Sequence, residues 1–130
     1  MDEVDRDEVR VLFVSAADQI DDIRRAWSEL EAAVGSLRGR KFFGTFDPVT
    51  EEYRACVRVD ADLDELALEQ WTIPGGRYAR RRLRGEPPAV YNEIEPAVQA
   101  LAAHFVADKT RPVIEFYRRV DEIDVLLPII

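Results

Sequence analysis

The chain repeats one order of predicted elements, strand, helix, strand, strand, in its two halves. Residues 9–14 are rich in β-branched side chains and predict a strand, and an amphipathic helix over residues 18–37 follows, with Asp18 as its N-cap. The apolar face of this helix recurs at spacings of three and four residues: Ile20, Ile23, Trp27, Leu30, Val34 and Leu37. Strands at residues 41–47 and 52–59 complete the first half.

The second half follows the same order after a tight turn. Pro74 and Gly75 suit the two central positions of a type II turn, in which Gly75 takes the positive φ. Strand-like residues 71–73 precede this turn and a strand over residues 77–83 follows it. The remaining predicted elements are a helix at residues 95–107, kinked near Pro96, and the hairpin strands 110–119 and 122–129.

Matching positions in the two halves are 70 residues apart, as in the pairs Phe13 with Leu83 and Val57 with Leu127. We therefore expect one domain over residues 1–130, with halves at residues 8–60 and 71–130. Its predicted class is α+β, with two pseudo-symmetric βαββ units that form an antiparallel sheet and each lay one helix on it. Two acidic segments, residues 1–8 and 60–65, are predicted to be a solvated lead-in and a link.

Composition excludes several classes of function. The 130 residues carry a net charge of −8, which disfavours direct binding to nucleic acid. A single cysteine forms no disulfide within the chain, and no phosphate loop, metal cluster or dinucleotide fingerprint is present, so we expect no metal and no cofactor. No apolar run approaches the about 20 residues of a membrane span, and the acidic start differs from a signal peptide. We expect a cytoplasmic protein.

Five arginines crowd residues 77–84. Clustered guanidinium groups can grip phosphate, but this chain has 26 acidic residues, so pairing of the arginines with its own carboxylates is the better interpretation. Arg81 is the exception, because strand alternation places it on one face with Ala79 and Leu83.

Glu115 is the most informative candidate for a functional side chain. Alternation along the strand puts Glu115 and Tyr117 on one face and Ile114 and Phe116 on the other. A carboxylate flanked by valine and aromatic residues indicates a buried acid that binds a cation or acts as a general acid or base. The alternative is an exposed glutamate on an edge strand, or one paired with a nearby arginine.

The remaining candidates are weaker. Cys56 is interpreted as a small core or cleft residue and not as a nucleophile, and His104 as a structural residue. Thr45 matches Glu115 across the 70-residue offset. Four aromatic side chains could line a cleft: Trp71, Tyr78, Tyr91 and Tyr117.

Several stretches together resemble the GyrI-like small-molecule-binding family. This is the effector-binding domain of multidrug-sensing transcription activators, which also occurs as stand-alone proteins. The similar stretches are residues 26–30, 43–48, 53–57, 73–79 and 112–117, with Gly85, Tyr91 and residues 127–129. They cover nearly the whole chain in the order and spacing of the family.

The resemblance implies two βαββ units around a cleft, with Glu115 at its floor attracting lipophilic cations and Tyr117 as its companion. It also implies aromatic side chains that stack on flat ligands. Arg81 departs from the family, which has an apolar or aromatic residue there. A guanidinium close to Glu115 would cancel the charge that selects cations.

We therefore expect a stand-alone, monomeric or homodimeric protein that binds or sequesters a hydrophobic or aromatic small molecule, cationic or neutral. The expected ligand-binding residues are Glu115, Tyr117, Arg81, Thr45, Trp71, Tyr78, Tyr91 and Cys56. One alternative is a hydrolase of strained-ring electrophilic toxins, with Glu115 as general acid or base and Tyr117 beside it. The other is an interaction protein that binds a macromolecule such as gyrase.

Overall fold

A computed structural model describes residues 1–63 and 66–130. Its strands are β1 (Asp2–Arg6), β2 (Val9–Ala17), β3 (Phe42–Asp47), β4 (Glu52–Arg58), β5 (Glu69–Ile73), β6 (Gly76–Arg84), β7 (Val113–Arg119) and β8 (Glu122–Pro128). Its helices are α1 (Ile20–Val34) and α2 (Ile94–His104), with short 3₁₀ turns at Ala61–Leu63 and Ala89–Glu93. Of the predicted acidic link, Asp64 and Glu65 lie outside the described residues.

The strands form one antiparallel sheet in the order β1-β6-β8-β7-β3-β4-β2-β5. Each predicted βαββ unit is present, as β2-α1-β3-β4 and β6-α2-β7-β8, and the two units meet where β3 pairs with β7. The α+β class is therefore confirmed. The central β3–β7 pair lies between the two helix-bearing units and is the part of the sheet that positions the candidate site.

The sheet curls because each edge strand continues along the chain into a strand next to the opposite edge: β1 leads into β2, and β5 leads into β6. The pair of β1 with β6 ends at Arg6 and Gly76. The pair of β2 with β5 begins at Val9 and Ile73, and it continues the register of the first pair. The backbones pass so closely here that a Cβ on Gly75 would lie 2.7 Å from the backbone nitrogen of Glu8. The positive φ that we predicted for Gly75 belongs instead to Gly76, at 132°.

Residues 1–8 are not a solvated lead-in, because β1 is a paired strand. Val4 packs against the apolar cluster on the concave face of the sheet, and Asp2 forms an ion pair of 2.6 Å with Arg80 of β6. The acidic composition of this segment hid the strand. Its carboxylates lie opposite the arginines of β6, so charge complementarity across the two strands replaces apolar alternation.

Both helices differ from prediction at their ends. α1 stops at Gly35, whose φ of 78° an L-residue rarely adopts, and its N-cap is Gln19 and not Asp18. Pro96 lies in the first turn of α2, where its missing N–H has no intrahelical partner to lose, so the helix needs no kink there. No helix within the described ranges is long and apolar enough to cross a membrane.

Apolar side chains pack on both faces of the sheet. On the convex face, α1 covers one half and α2 the other, while the concave face carries a separate cluster to which β2–β8 all contribute. Val57 and Leu127 both pack beneath helices, as their 70-residue offset predicts. Phe13 and Leu83 lie on opposite faces, because the link from β6 to α2 is longer than the link from β2 to α1.

Candidate functional site

Glu115 lies at the centre of the sheet, on the face that carries the helices. Its strand partners are Gly44 of β3 and Val125 of β8. A Cβ on Gly44 would lie 2.5 Å from Glu115 Oε1 and 2.9 Å from the Tyr53 ring. Glycine at this position therefore leaves the space in which the carboxylate and the tyrosine meet.

The two oxygens of the Glu115 carboxylate have different environments. The Tyr117 hydroxyl donates a hydrogen bond to Oε1 at 2.6 Å and the Tyr53 hydroxyl donates to the same atom at 3.0 Å. The Trp27 indole N–H in turn donates to the Tyr53 hydroxyl at 3.0 Å. Glu115 Oε2 has no hydrogen-bond partner within the described part of the chain, and it is not among the fully enclosed unpaired atoms. One oxygen is fixed and the other can meet a ligand.

Aromatic rings surround this carboxylate. Trp27 of α1 and Tyr91 of the 3₁₀ turn before α2 meet Tyr117 from two sides in edge-to-face contacts, with centroids 5.4 and 6.4 Å apart. Trp27 also contacts Phe42 at 6.1 Å. We call these five side chains, Trp27, Phe42, Tyr53, Tyr91 and Tyr117, the aromatic recess. Trp27 is only half-buried, whereas the sequence predicted it to be mostly buried.

The recess changes the acidity of its polar groups. Burial raises the pKa of Glu115 above its ordinary value, against the hydrogen bonds from Tyr117 and Tyr53, which lower it. The nearby carboxylate of Asp18 raises it further. Burial, with the negative charge of Glu115, holds the pKa values of Tyr53 and Tyr117 well above normal. Both tyrosines therefore remain protonated donors, and the only group of this network that can ionise near neutral pH is the carboxyl.

Arg81 does not neutralise Glu115. The two residues lie on the same face and both pair with Val125, so one strand separates them and their backbones are about 10 Å apart. Arg81 is exposed and forms no ion pair with any residue that the structure describes. Other arginines of β6 pair with acids as predicted: Arg77 with Glu3, Arg80 with Asp2, Arg82 with Asp124 and Arg84 with Glu122.

Four predicted site residues lie on the opposite, concave face. Thr45 is 2% exposed there, and Trp71 packs at the edge of the apolar cluster. Tyr78 is fully buried and its hydroxyl donates to the backbone oxygen of Pro74 at 2.6 Å. Burial raises the pKa of the Cys56 thiol to about 12, so it is a core thiol and not a nucleophile. Of the predicted set, Tyr117 and Tyr91 lie with Glu115 on the helix-bearing face, whereas Thr45 and Trp71 line a separate cavity on the concave face.

Sequence reasoning missed three members of the recess. Trp27 was assigned to the apolar face of the first helix, and Tyr53 was named only as part of a predicted strand and of the family-like stretch 53–57. Phe42 was not singled out. The sequence did contain one clue to Trp27 and Tyr53. An indole N–H and a phenol hydroxyl on core faces need hydrogen-bond partners, which indicates a polar group nearby.

Two open concavities lie away from Glu115. One, of about 750 Å³, is lined by residues 15–19 and 50–52, and the other, of about 270 Å³, opens on the concave face. In the aromatic recess the Trp27 ring stands edge-on against Tyr117. No group of three or more His, Cys, Asp or Glu side chains suited to a metal ion occurs among residues 1–63 and 66–130.

Comparisons with known proteins identify the fold and not the activity. No protein-family model and no curated protein matches the chain. An integron cassette protein from the mobile metagenome of Vibrio cholerae has a similar structure, with a TM-score of 0.80 and 12% identity over 99% of this chain and 95% of that one. The structure of SAV2435 bound to tetraphenylphosphonium is also similar, with a TM-score of 0.67 and 11% identity over 99% and 93% of the two chains.

Proposed function

We propose that this protein binds a hydrophobic aromatic cation in the aromatic recess, with Glu115 as the counter-charge. The observation that carries the proposal is the asymmetry of the carboxylate. Neutral tyrosine hydroxyls hold Oε1, while Oε2 has no partner among the described side chains. No arginine or lysine forms an ion pair with Glu115 within the described ranges.

The energetics of the free site favour a cation. An ionised carboxylate surrounded by aromatic rings has lost water without gaining an opposite charge, which the raised pKa of Glu115 reflects. A bound cation restores that missing interaction in a region of low dielectric constant. Aromatic faces add cation–π attraction of about 0.5–2 kcal/mol each. A neutral ligand of the same shape gains only the contact with the rings.

The shape of the recess indicates a ligand with flat rings. Trp27, on α1, and Tyr91, in the turn before α2, contact Tyr117 from two sides of the recess. A planar group between them can therefore contact both rings. The ligand must displace the Trp27 ring from its edge contact with Tyr117. Trp27 is half-buried on the surface of α1, which leaves its side chain room to turn.

Three further observations support the proposal. The chain resembles the GyrI-like family in the residues around Glu115 and Tyr117, and one protein of similar fold is described as bound to tetraphenylphosphonium. The recess also lies where the two βαββ units meet, between α1 and the turn that leads into α2.

Isothermal titration calorimetry with tetraphenylphosphonium tests this function. We expect Glu115→Gln, which keeps the acceptor for both tyrosines, to weaken binding by about 1–3 kcal/mol because it removes the charge. Triphenylphosphine oxide, a neutral aromatic ligand, should bind the parent and Glu115→Gln alike. Glu29→Gln on the exposed face of α1 is the matched control and should bind as the parent does. Unchanged cation affinity in Glu115→Gln would refute the proposal.

A further inference from the structure

The concave face carries a second cavity that is separate from the aromatic recess. It has a volume of about 270 Å³ and opens where the ends of β3, β4 and β5 meet the loops before β6 and β7. Its lining includes Asp47, Arg54, Trp71, Pro74 and Pro112. Glu115 lies on the other face of the sheet, so a ligand in this cavity would not contact the recess.

Arg54 is fixed in this cavity with one nitrogen free. Its guanidinium lies between the rings of Phe13 and Trp71, with its central carbon 4.3 and 4.5 Å from the two centroids. Nε and Nη2 donate to the Glu52 carboxylate at 2.9 and 3.3 Å. Nη1 has no hydrogen-bond partner in the described part of the structure. Cation–π contacts with two rings and pairing along one edge hold the guanidinium in place.

Asp47 supplies a free acceptor on the same lining. Its Oδ1 accepts the backbone N–H groups of Val49 and Thr50 at 2.8 and 3.4 Å, which fixes the carboxylate on the turn after β3. Oδ2 has no hydrogen-bond partner, and Asp47 forms no ion pair, among residues 1–63 and 66–130. Asp47 pairs with Glu52 across β3 and β4, so Arg54 is the diagonal neighbour of Asp47. Residues at such diagonal positions lie about 7–8 Å apart at the backbone.

We propose that this cavity binds a small zwitterion of the amino-acid type with an apolar side chain. The carboxylate of the ligand meets Arg54 Nη1 and its ammonium group meets Asp47 Oδ2. The apolar side chain packs on Trp71 and the two prolines, Pro74 and Pro112.

Charge and size select this class of ligand. A simple anion would meet Arg54 but also the carboxylates of Asp47 and Glu52, which line the same cavity. A simple cation would meet these carboxylates but leave Arg54 Nη1 without a partner, so a ligand with both charges uses both free groups. The cavity volume of about 270 Å³ is below the about 300–1,000 Å³ of sites for drug-sized molecules, which suits one amino acid.

L-Phenylalanine is the probe, with two analogues that each lack one charge. N-acetyl-L-phenylalanine has no ammonium group and phenethylamine has no carboxylate. We expect the parent to bind phenylalanine about 10-fold or more tightly than either analogue, because each charged hydrogen bond is lost separately. Calorimetry gives the affinities, and circular dichroism checks that each variant is folded.

Two variants assign the contacts. Asp47→Asn keeps the Oδ1 acceptor of the turn, and we expect it to weaken phenylalanine about 10- to 100-fold while binding N-acetyl-L-phenylalanine more tightly than the parent does, because the repulsion of its carboxylate is removed. Arg54→Lys keeps the charge but loses the planar group, and it should weaken phenylalanine while leaving phenethylamine unchanged. Glu115→Gln is the control for the other face and should bind phenylalanine as the parent does.

Three outcomes would overturn the proposal. The first is a folded parent that does not bind phenylalanine at about 10 mM, a concentration at which even a weak site is filled. The second is a folded Asp47→Asn whose affinity for phenylalanine equals that of the parent. The third is loss of phenylalanine binding in Glu115→Gln, which would place the ligand in the aromatic recess.

Discussion

At the scale of single residues, Glu115 has an arrangement that stability alone does not explain. Its Oε1 accepts two hydroxyl donors, yet its charge has no cationic partner among the described residues. Burial of an unpaired charge costs free energy, and burial raises the pKa of this carboxyl for the same reason. Proteins accept such a cost at functional sites, which is why this residue and not the better paired Asp124 is our candidate.

The raised pKa makes a prediction about folding stability. Below the ordinary value of 4.5 the carboxyl is protonated in both states, and as pH rises through the folded-state pKa the fold loses stability relative to the unfolded chain. Glu115→Gln cannot ionise, so it should match the parent at low pH and have the larger free energy of unfolding at pH 7. Urea unfolding at both pH values measures this. A variant less stable than the parent at pH 7, with Glu29→Gln unchanged, would contradict it.

At the scale of elements, the regular periodicities were predictable and the exceptions were not. The apolar stripe of α1 places Leu30 on its observed buried face, and the alternation of β7 puts Glu115 and Tyr117 on one face as observed. That this face carries the helices was not predicted, because Ile114 and Phe116 suited a position beneath a helix equally well. β1 was missed because its acids are satisfied by arginines of β6, a pairing that one strand alone does not reveal. Thr45 was matched to Glu115 by the 70-residue offset between the halves, but the two side chains lie on opposite faces, and Gly44 is the strand partner of Glu115.

Gly44 is the element-scale test of the site. A methyl group there would lie 2.5 Å from Glu115 Oε1 and 2.9 Å from the Tyr53 ring, so Gly44→Ala should push the hydroxyl and the carboxylate apart. We expect a loss of about 1–3 kcal/mol in the free energy of unfolding from overpacking, together with weaker binding of tetraphenylphosphonium. In a Tyr53→Phe background the loss should be smaller, since the obstructing hydroxyl is gone. Equal losses in both backgrounds would show that glycine is required at position 44 by the strand backbone and not by the hydrogen bond between Tyr53 and Glu115.

At the scale of the whole molecule, two βαββ units share one curled sheet. The repeated order of elements predicted this architecture, and the resemblance to the GyrI-like family predicted a central glutamate. The register between the halves was not predictable, because the link between β6 and α2 is longer than its counterpart and moves Leu83 to the face opposite Phe13. Trp71 and Tyr78 were predicted to line a cleft because they are aromatic, and Cys56 was interpreted as a core or cleft residue, but the sheet separates all three from Glu115.

The crossing of the outer strands holds the two units together. Gly75 passes so close to the chain between β1 and β2 that a Cβ would lie 2.7 Å from the Glu8 nitrogen and 2.8 Å from the Arg6 oxygen. Neither backbone can yield without breaking strand pairing, so Gly75→Ala should lower the free energy of unfolding by about 1–3 kcal/mol. Val120→Ala, at a side chain that is 78% exposed in the β7–β8 turn, should stay within about 0.5 kcal/mol of the parent. Urea unfolding compares the two, and a Gly75→Ala variant as stable as Val120→Ala would contradict this account of the curl.

The pH dependence of tetraphenylphosphonium affinity tests the central claim most directly, because it follows the charge of Glu115 itself. As pH falls below the raised pKa of this carboxyl, the parent should lose affinity by up to tenfold for each pH unit, since protonation removes the counter-charge. Glu115→Gln should show a low affinity that hardly changes over the same range, and Glu29→Gln should follow the parent. A parent whose affinity does not change with pH, or a Glu115→Gln variant with the same slope as the parent, would show that Glu115 does not hold the cation.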